Sequence, residues 1–150
     1  MKRAVLAVLF AAGLTACSQD ATAPAQAPES GLAAASASVT LDQPFELRVG
    51  RSATVAGEGL TVSFEAVPSD SRCPTGVQCV WAGDAVVQVV LSKDGKAFGA
   101  ELNTSLEPTS VDYLNYNVAL VSLAPYPTAN GGAISQSQYR ATFVVTKTAP

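Results

Sequence analysis

The chain has 150 residues, a formal charge of −3 and no histidine. A single-domain length with this mildly acidic balance, its few cations scattered rather than striped, argues against nucleic acid as a partner. The missing imidazole removes the commonest general base, the Ser-His-Asp and Cys-His nucleophile systems and most zinc sites.

At the N-terminus Lys2 and Arg3 precede an apolar run, Ala4 to Gly13, too short to cross a bilayer as a permanent helix. Leu14-Thr15-Ala16-Cys17 follows at once and resembles the lipobox of bacterial lipoproteins. The resemblance implies a signal peptide over 1–16, cleavage before Cys17, a diacylglycerol on the Cys17 sulfur and an acylated amine. Cys17 is then the membrane anchor, since acyl chains contribute about 0.8 kcal/mol per buried methylene and a single chain holds only marginally. Loss of 1–16 takes away Lys2 and Arg3 and no acid, leaving a more acidic mature chain. Ser18 stands where an aspartate favours inner-membrane retention in enterobacterial lipoproteins. In a host with two membranes, the expected place is therefore the outer one, with the domain in the periplasm or at the cell surface.

Gln19 to Thr40 is rich in Ala, Ser, Pro and Gln, and nearly free of aromatics. Such a segment buries too little apolar surface to offset its ordering entropy, so residues 17–42 are expected to be a lipidated cysteine and a disordered tether. As a flexible coil, about 20 residues of tether reach roughly 25 Å. A single β domain is expected over 43–150.

From Gln43 onward the period is two. "FELRVG" (Phe45 to Gly50) and "SATV" (Ser52 to Val55) predict two short strands, and "AGEG" a turn. Leu60, Val62, Phe64 and Ala66 then alternate with Thr61, Ser63, Glu65 and Val67. "AVVQVVLS" (Ala85 to Ser92) is apolar on both faces apart from Gln88, as in a central strand. Asp94-Gly95 supplies a two-residue hairpin turn into "AFGAELNTS" (Ala97 to Ser105). Val111 to Leu123 predicts one long strand stopped by Pro125 and Pro127, with Tyr113 on the face of Asn115 and Tyr116 beside Leu114 and Val118 on the other, so that one of the two tyrosines is core. "TANGGAISQSQ" is a loop before a last strand whose inward residues are Tyr139, Ala141, Phe143 and Val145. Seven strands without a helical period predict an all-β fold, a small antiparallel β-sandwich or β-barrel with a disulfide-closed loop.

Between the third and fourth predicted strands stands "DSRCPTGVQCVWAGDA", Asp70 to Ala85. With Cys17 lipidated, Cys73 and Cys79 are each other's remaining partner in an oxidising compartment. Pro74 fixes one φ and Gly76 allows a positive one, so the chain can double back. The Cys-x-x-Cys spacing of a redox site is absent. Trp81, two residues past Cys79, is expected to pack over the bridge, and Gly83 to bend the chain into the next strand. Arg72 either pairs with Asp70 and loop carbonyls or is displayed to an acidic partner. Asp70, Arg72, Thr75, Gln78 and Trp81 are the candidate binding loop, with Thr128 to Gly132 as a second contact loop.

"DSRCP" with "VQCVWAGDA", behind a lipobox and inside a small β domain, resembles a family of small bacterial lipoproteins and exported proteins. The similarity runs from Val49 through Leu91 and more faintly to the terminal "YRATFVV". The resemblance implies the β fold and the disulfide, and brings no activity, substrate or site.

No cofactor, no metal site and no catalytic residue are expected. The expected function is a membrane-anchored, non-catalytic β module, held by Cys17, that binds an envelope protein, a peptide or a glycan. One alternative is an inhibitor or immunity-like protein that inserts the disulfide loop into a cleft. The other is a carboxylate-based hydrolase, which needs two ionisable groups converging in one pocket.

Overall fold

Alternating hydroxyl and apolar side chains carry the chain back and forth between two sheets. The computed structural model describes residues 37–148; the signal segment 1–16, Cys17 and the tether up to residue 36 lie outside the described residues. The strands are β1 (Ala37–Val39), β2 (Phe45–Arg48), β3 (Arg51–Val55), β4 (Thr61–Asp70), β5 (Ala85–Lys93), β6 (Lys96–Asn103), β7 (Ser110–Tyr113), β8 (Tyr116–Ala124) and β9 (Arg140–Lys147). One sheet has the order β1-β3-β4-β5-β6, the other β2-β9-β8-β7. All neighbours are antiparallel except β1 and β3. The architecture is an all-β sandwich, and the sheets do not close into a barrel.

Facing rows of the two sheets form the core. Phe64 meets Phe143 edge-on at 6.0 Å between ring centroids, and Val62, Val87, Leu91, Leu102, Val118 and Val145 are fully buried around them. Each such aliphatic side chain contributes about 1.5–3 kcal/mol by leaving water. The inward set of the last strand, Tyr139, Ala141, Phe143 and Val145, is as the period predicts. Asp94 and Gly95, at φ 52° and 75°, make the β5–β6 turn.

Nine strands replace the seven expected, for two local reasons. Ala37–Val39, inside the stretch read as tether, pairs with Ala53–Val55. Val111 to Leu123 is a hairpin rather than one strand: Leu114 takes a φ of 55°, Tyr113 pairs with Tyr116, and the chain reverses through Leu114 and Asn115. Cross-strand partners share a face, so Tyr113 and Tyr116 lie on the same side of the sheet, not on opposite sides. One of the two is core, as expected, and it is Tyr116, while Tyr113 stacks on Phe98 at the sandwich edge. No Gly or Pro marked this turn. On β4 the alternation slips at two register shifts after Phe64, so Val67 is buried where Ala66 was expected, and Asp70 turns inward.

One end of the sandwich is closed by charge. The Glu58 carboxylate accepts hydrogen bonds from Tyr116 and from Lys147, the latter at 2.9 and 3.0 Å, and Lys93 donates to the Glu58 carbonyl. The Tyr116 hydroxyl first, then Lys147, hold the Glu58 carboxyl below its usual range. The opposite end carries the disulfide loop.

Candidate functional site

At the end of β4 the chain leaves the sheet but stays paired. Ser71 N donates to Asp84 O at 2.7 Å and Cys73 N to Ala82 O at 2.8 Å, so the loop stands on a short two-stranded base. Gly83 makes that base feasible: at φ 70° it approaches Ser71 so closely that a Cβ would lie 1.9 Å from the Ser71 carbonyl oxygen. Above the base, Cys73 and Cys79 are joined, with Cα atoms 5.9 Å apart, and Gly76 at φ 89° turns the chain between them.

Arg72 fixes this loop from beneath. Its Nε and Nη2 donate to Asp70 Oδ1 and Oδ2 at 2.8 and 2.6 Å, its Nη1 to Leu123 O at 2.6 Å, and Nη2 also to Pro125 O at 2.9 Å. The guanidinium lies over the Tyr126 ring, 4.9 Å from its centroid. Tyr139 donates its hydroxyl proton to Asp70 Oδ2 at 3.0 Å. Burial pushes the Asp70 carboxyl up, and the hydrogen bonds from Arg72 and Tyr139 outweigh it, leaving Asp70 below its usual range. Burial first, then the Asp70 hydrogen bond, push Tyr139 up to about 12.

The second contact loop joins the first. Thr75 N donates to Pro127 O at 2.9 Å and Ala129 N to Thr75 O at 3.1 Å, a one-residue bridge between Thr75 and Thr128. A turn of 3-10 helix, Gln136–Gln138, pins the far side: Gln136 exchanges hydrogen bonds with both backbone groups of Val67.

The candidate residues therefore separate into a brace and a tip. Asp70 and Arg72 form the brace, and Arg72, at 5 % exposure, is not displayed to a partner. Thr75 is exposed with its backbone occupied, and Gln78 is exposed. Trp81 does not cover the disulfide; it is 82 % exposed and Val80 is 90 % exposed. The same-side expectation assumed an extended chain from Cys79, and the backbone bends at Val80 and Trp81 instead. The sequence reading missed Val77, Val80 and Tyr126 as surface. The signal for the two valines was a run with no charge, "CPTGVQCVWAG", too polar-poor for an ordinary solvated loop. Tyr139, 69 residues from Asp70, carried no local signal.

Two concavities bear on chemistry. A cleft of about 210 Å³ beside the brace is lined by Arg72, Thr104, Ser105, Tyr126 and the Leu120 to Leu123 segment. A trough of about 490 Å³ on the outer face of the larger sheet brings Glu65 and Glu101 together, with Gln88 Nε2 donating to Glu101 Oε1 at 3.2 Å. Both carboxylates are exposed on that trough, which is open to water. Among the described residues no three Cys, Asp or Glu side chains gather as a metal site. Comparison of the chain with protein-family models, with curated proteins and with solved structures gave no match.

Proposed function

We propose that this chain is a lipid-anchored, non-catalytic binding module of the cell envelope: Cys17 is the anchor, the segment before the domain is the tether, and the disulfide-loop end is the contact surface. The observation that carries this reading is the exposure of Val80 and Trp81 on a loop that a disulfide, a paired base and the Arg72 hydrogen bonds all hold in one shape. Large apolar side chains on a braced scaffold lose little entropy on contact, which is what a binding tip requires. The brace also supports the inhibitor-like reading, since a preorganised wedge serves a cleft equally well. Glu65 and Glu101 are the pair on which a hydrolase would rest; their open trough gives neither the exclusion of water nor the enclosure that such chemistry uses.

The test is a photo-crosslinking residue placed at Gln78 of the full chain in its native envelope, compared with one at Asp94 on the opposite end. Adducts to a discrete envelope component at 78 and none at 94 are expected. Adducts at 94 with none at 78 overturn the assignment of the contact surface.

A further inference from the structure

Val77, Val80, Trp81, Leu106 and Tyr126, five of the eight exposed large hydrophobic residues among those described, belong to loops at one end of the sandwich. Two of those loops, the ones that carry all of these residues but Leu106, hold no charge. Residues 73–83 and 124–138 contain no Asp, Glu, Lys or Arg, whereas the other end holds Glu58, Lys93, Asp94, Lys96 and Lys147. Of the acids nearest to them, Asp84 accepts from Thr104 and Ser105, while Glu107, on the loop of Leu106, is exposed and accepts from the Thr109 amide.

One further placement bears on what covers this end. Behind the uncharged loops, Arg140 stands in register with Ala124, from which the 125–139 loop departs, and directly opposite Arg48. Like charges so paired repel, and an anionic layer in front of them relieves the repulsion; Glu46, 3.9 Å from Arg140, supplies only part of that.

We infer that the disulfide-loop end seats in the lipid–water interface of the membrane that holds the anchor, with Val77, Val80 and Trp81 among the upper acyl chains and Arg48 and Arg140 facing headgroup phosphates. This names the component met by the contact surface proposed above and rests on that reading of Cys17. An indole ring with one polar edge is suited to the interfacial layer, and an uncharged apolar loop enters it without a charge to desolvate.

Trp81 is the only tryptophan, so its fluorescence reports this seat directly. The full lipoprotein is reconstituted in protein-free vesicles of phosphatidylcholine and phosphatidylglycerol, and the mass of the Cys17 peptide is read on the same sample. Expected are a blue-shifted Trp81 emission, quenching by lipids brominated near the headgroup end of the chain, and loss of quenching by aqueous iodide. Val80→Asp, at a position 90 % exposed, is expected to return the emission to its water-exposed form with an unchanged thermal midpoint. A Cys17 peptide without acyl groups sinks the anchor alone; the chain is then held by an N-terminal histidine tag on a nickel-chelating lipid, and Trp81 gives the same readout. Water-like emission on vesicles, by either tether, overturns the inference. Protection of Trp81 only in membranes that retain envelope proteins also overturns it and assigns the loop to a protein partner.

Discussion

Asp70 and Arg72, two residues apart at the end of one strand, hold each other in a forked ion pair at 2.6 and 2.8 Å, with their side chains 8 % and 4 % exposed. The pair is local, yet its remaining donors reach the carbonyls of Leu123 and Pro125 on the opposite sheet. It is the joint between the sandwich and its loop end.

Arg72→Ala is expected to destabilise the domain by about 3 to 5 kcal/mol, because it leaves a buried carboxylate without its counter-ion and the Leu123 and Pro125 carbonyls without the guanidinium donor. Asp70→Asn in the same background is expected to cost less than it does alone. A double-mutant cycle by urea unfolding reads the coupling, and additive losses would remove the pair from its role as joint.

Stability is expected to change with pH at both extremes through this cluster. Tyr139 lies at about 12 in the fold, above about 10 in the unfolded chain. Its contribution is therefore complete below pH of about 10, falls as pH rises toward 12, and amounts to on the order of 2 kcal/mol at most. Asp70 is depressed in the fold, so its contribution is present above its unfolded value of about 3.9 and is lost as pH falls below that. Thermal midpoints across pH check both limbs. Tyr139→Phe is expected to abolish the alkaline limb and to shrink the acid limb only in part, since the Arg72 hydrogen bonds still hold Asp70 low.

Opening the disulfide by Cys73→Ser with Cys79→Ser is expected to cost about 2 kcal/mol on the chain-entropy account of so short a loop. The loss of contact at the loop end is expected to be larger than that, because the tip depends on one fixed shape. Equal losses in unfolding and in crosslinking from Gln78 would return the loop to a purely structural part.

Gly83→Ala is expected to prevent normal folding, since the new methyl meets the Ser71 carbonyl at 1.9 Å. Gly95→Ala has open space, and its cost is that of a left-handed residue alone, about 1 kcal/mol. Circular dichroism melts of the two variants separate steric conflict from backbone preference.

Much of the architecture was legible because strands, turns and the disulfide are written locally. Period two placed Leu60, Val62 and Phe64 inside, Asp94-Gly95 announced its hairpin, and Cys73, Pro74 and Gly76 described a loop that closes on itself. The hairpin at Leu114 and Asn115 was not legible, because a leucine at positive φ carries no turn signal and the alternation continues on both sides of it. The short β1 was missed for a similar reason: Ala37 to Val39 has no pattern of its own and is ordered by β3.

The candidate surface divides in the same way. Sequence alone determined that Asp70 to Ala85 is a clasp, and that its loop is uncharged, since composition and spacing need no partner to be read. Tertiary structure decided that Arg72 points inward, that Tyr139 completes its pair, and that Val80 and Trp81 stand in the open. Those outcomes depend on carbonyls at 123 and 125 and a hydroxyl at 139, brought near residue 72 only by the pairing of distant strands. Burial of a charge is a property of its surroundings, and its surroundings here lie more than fifty residues away.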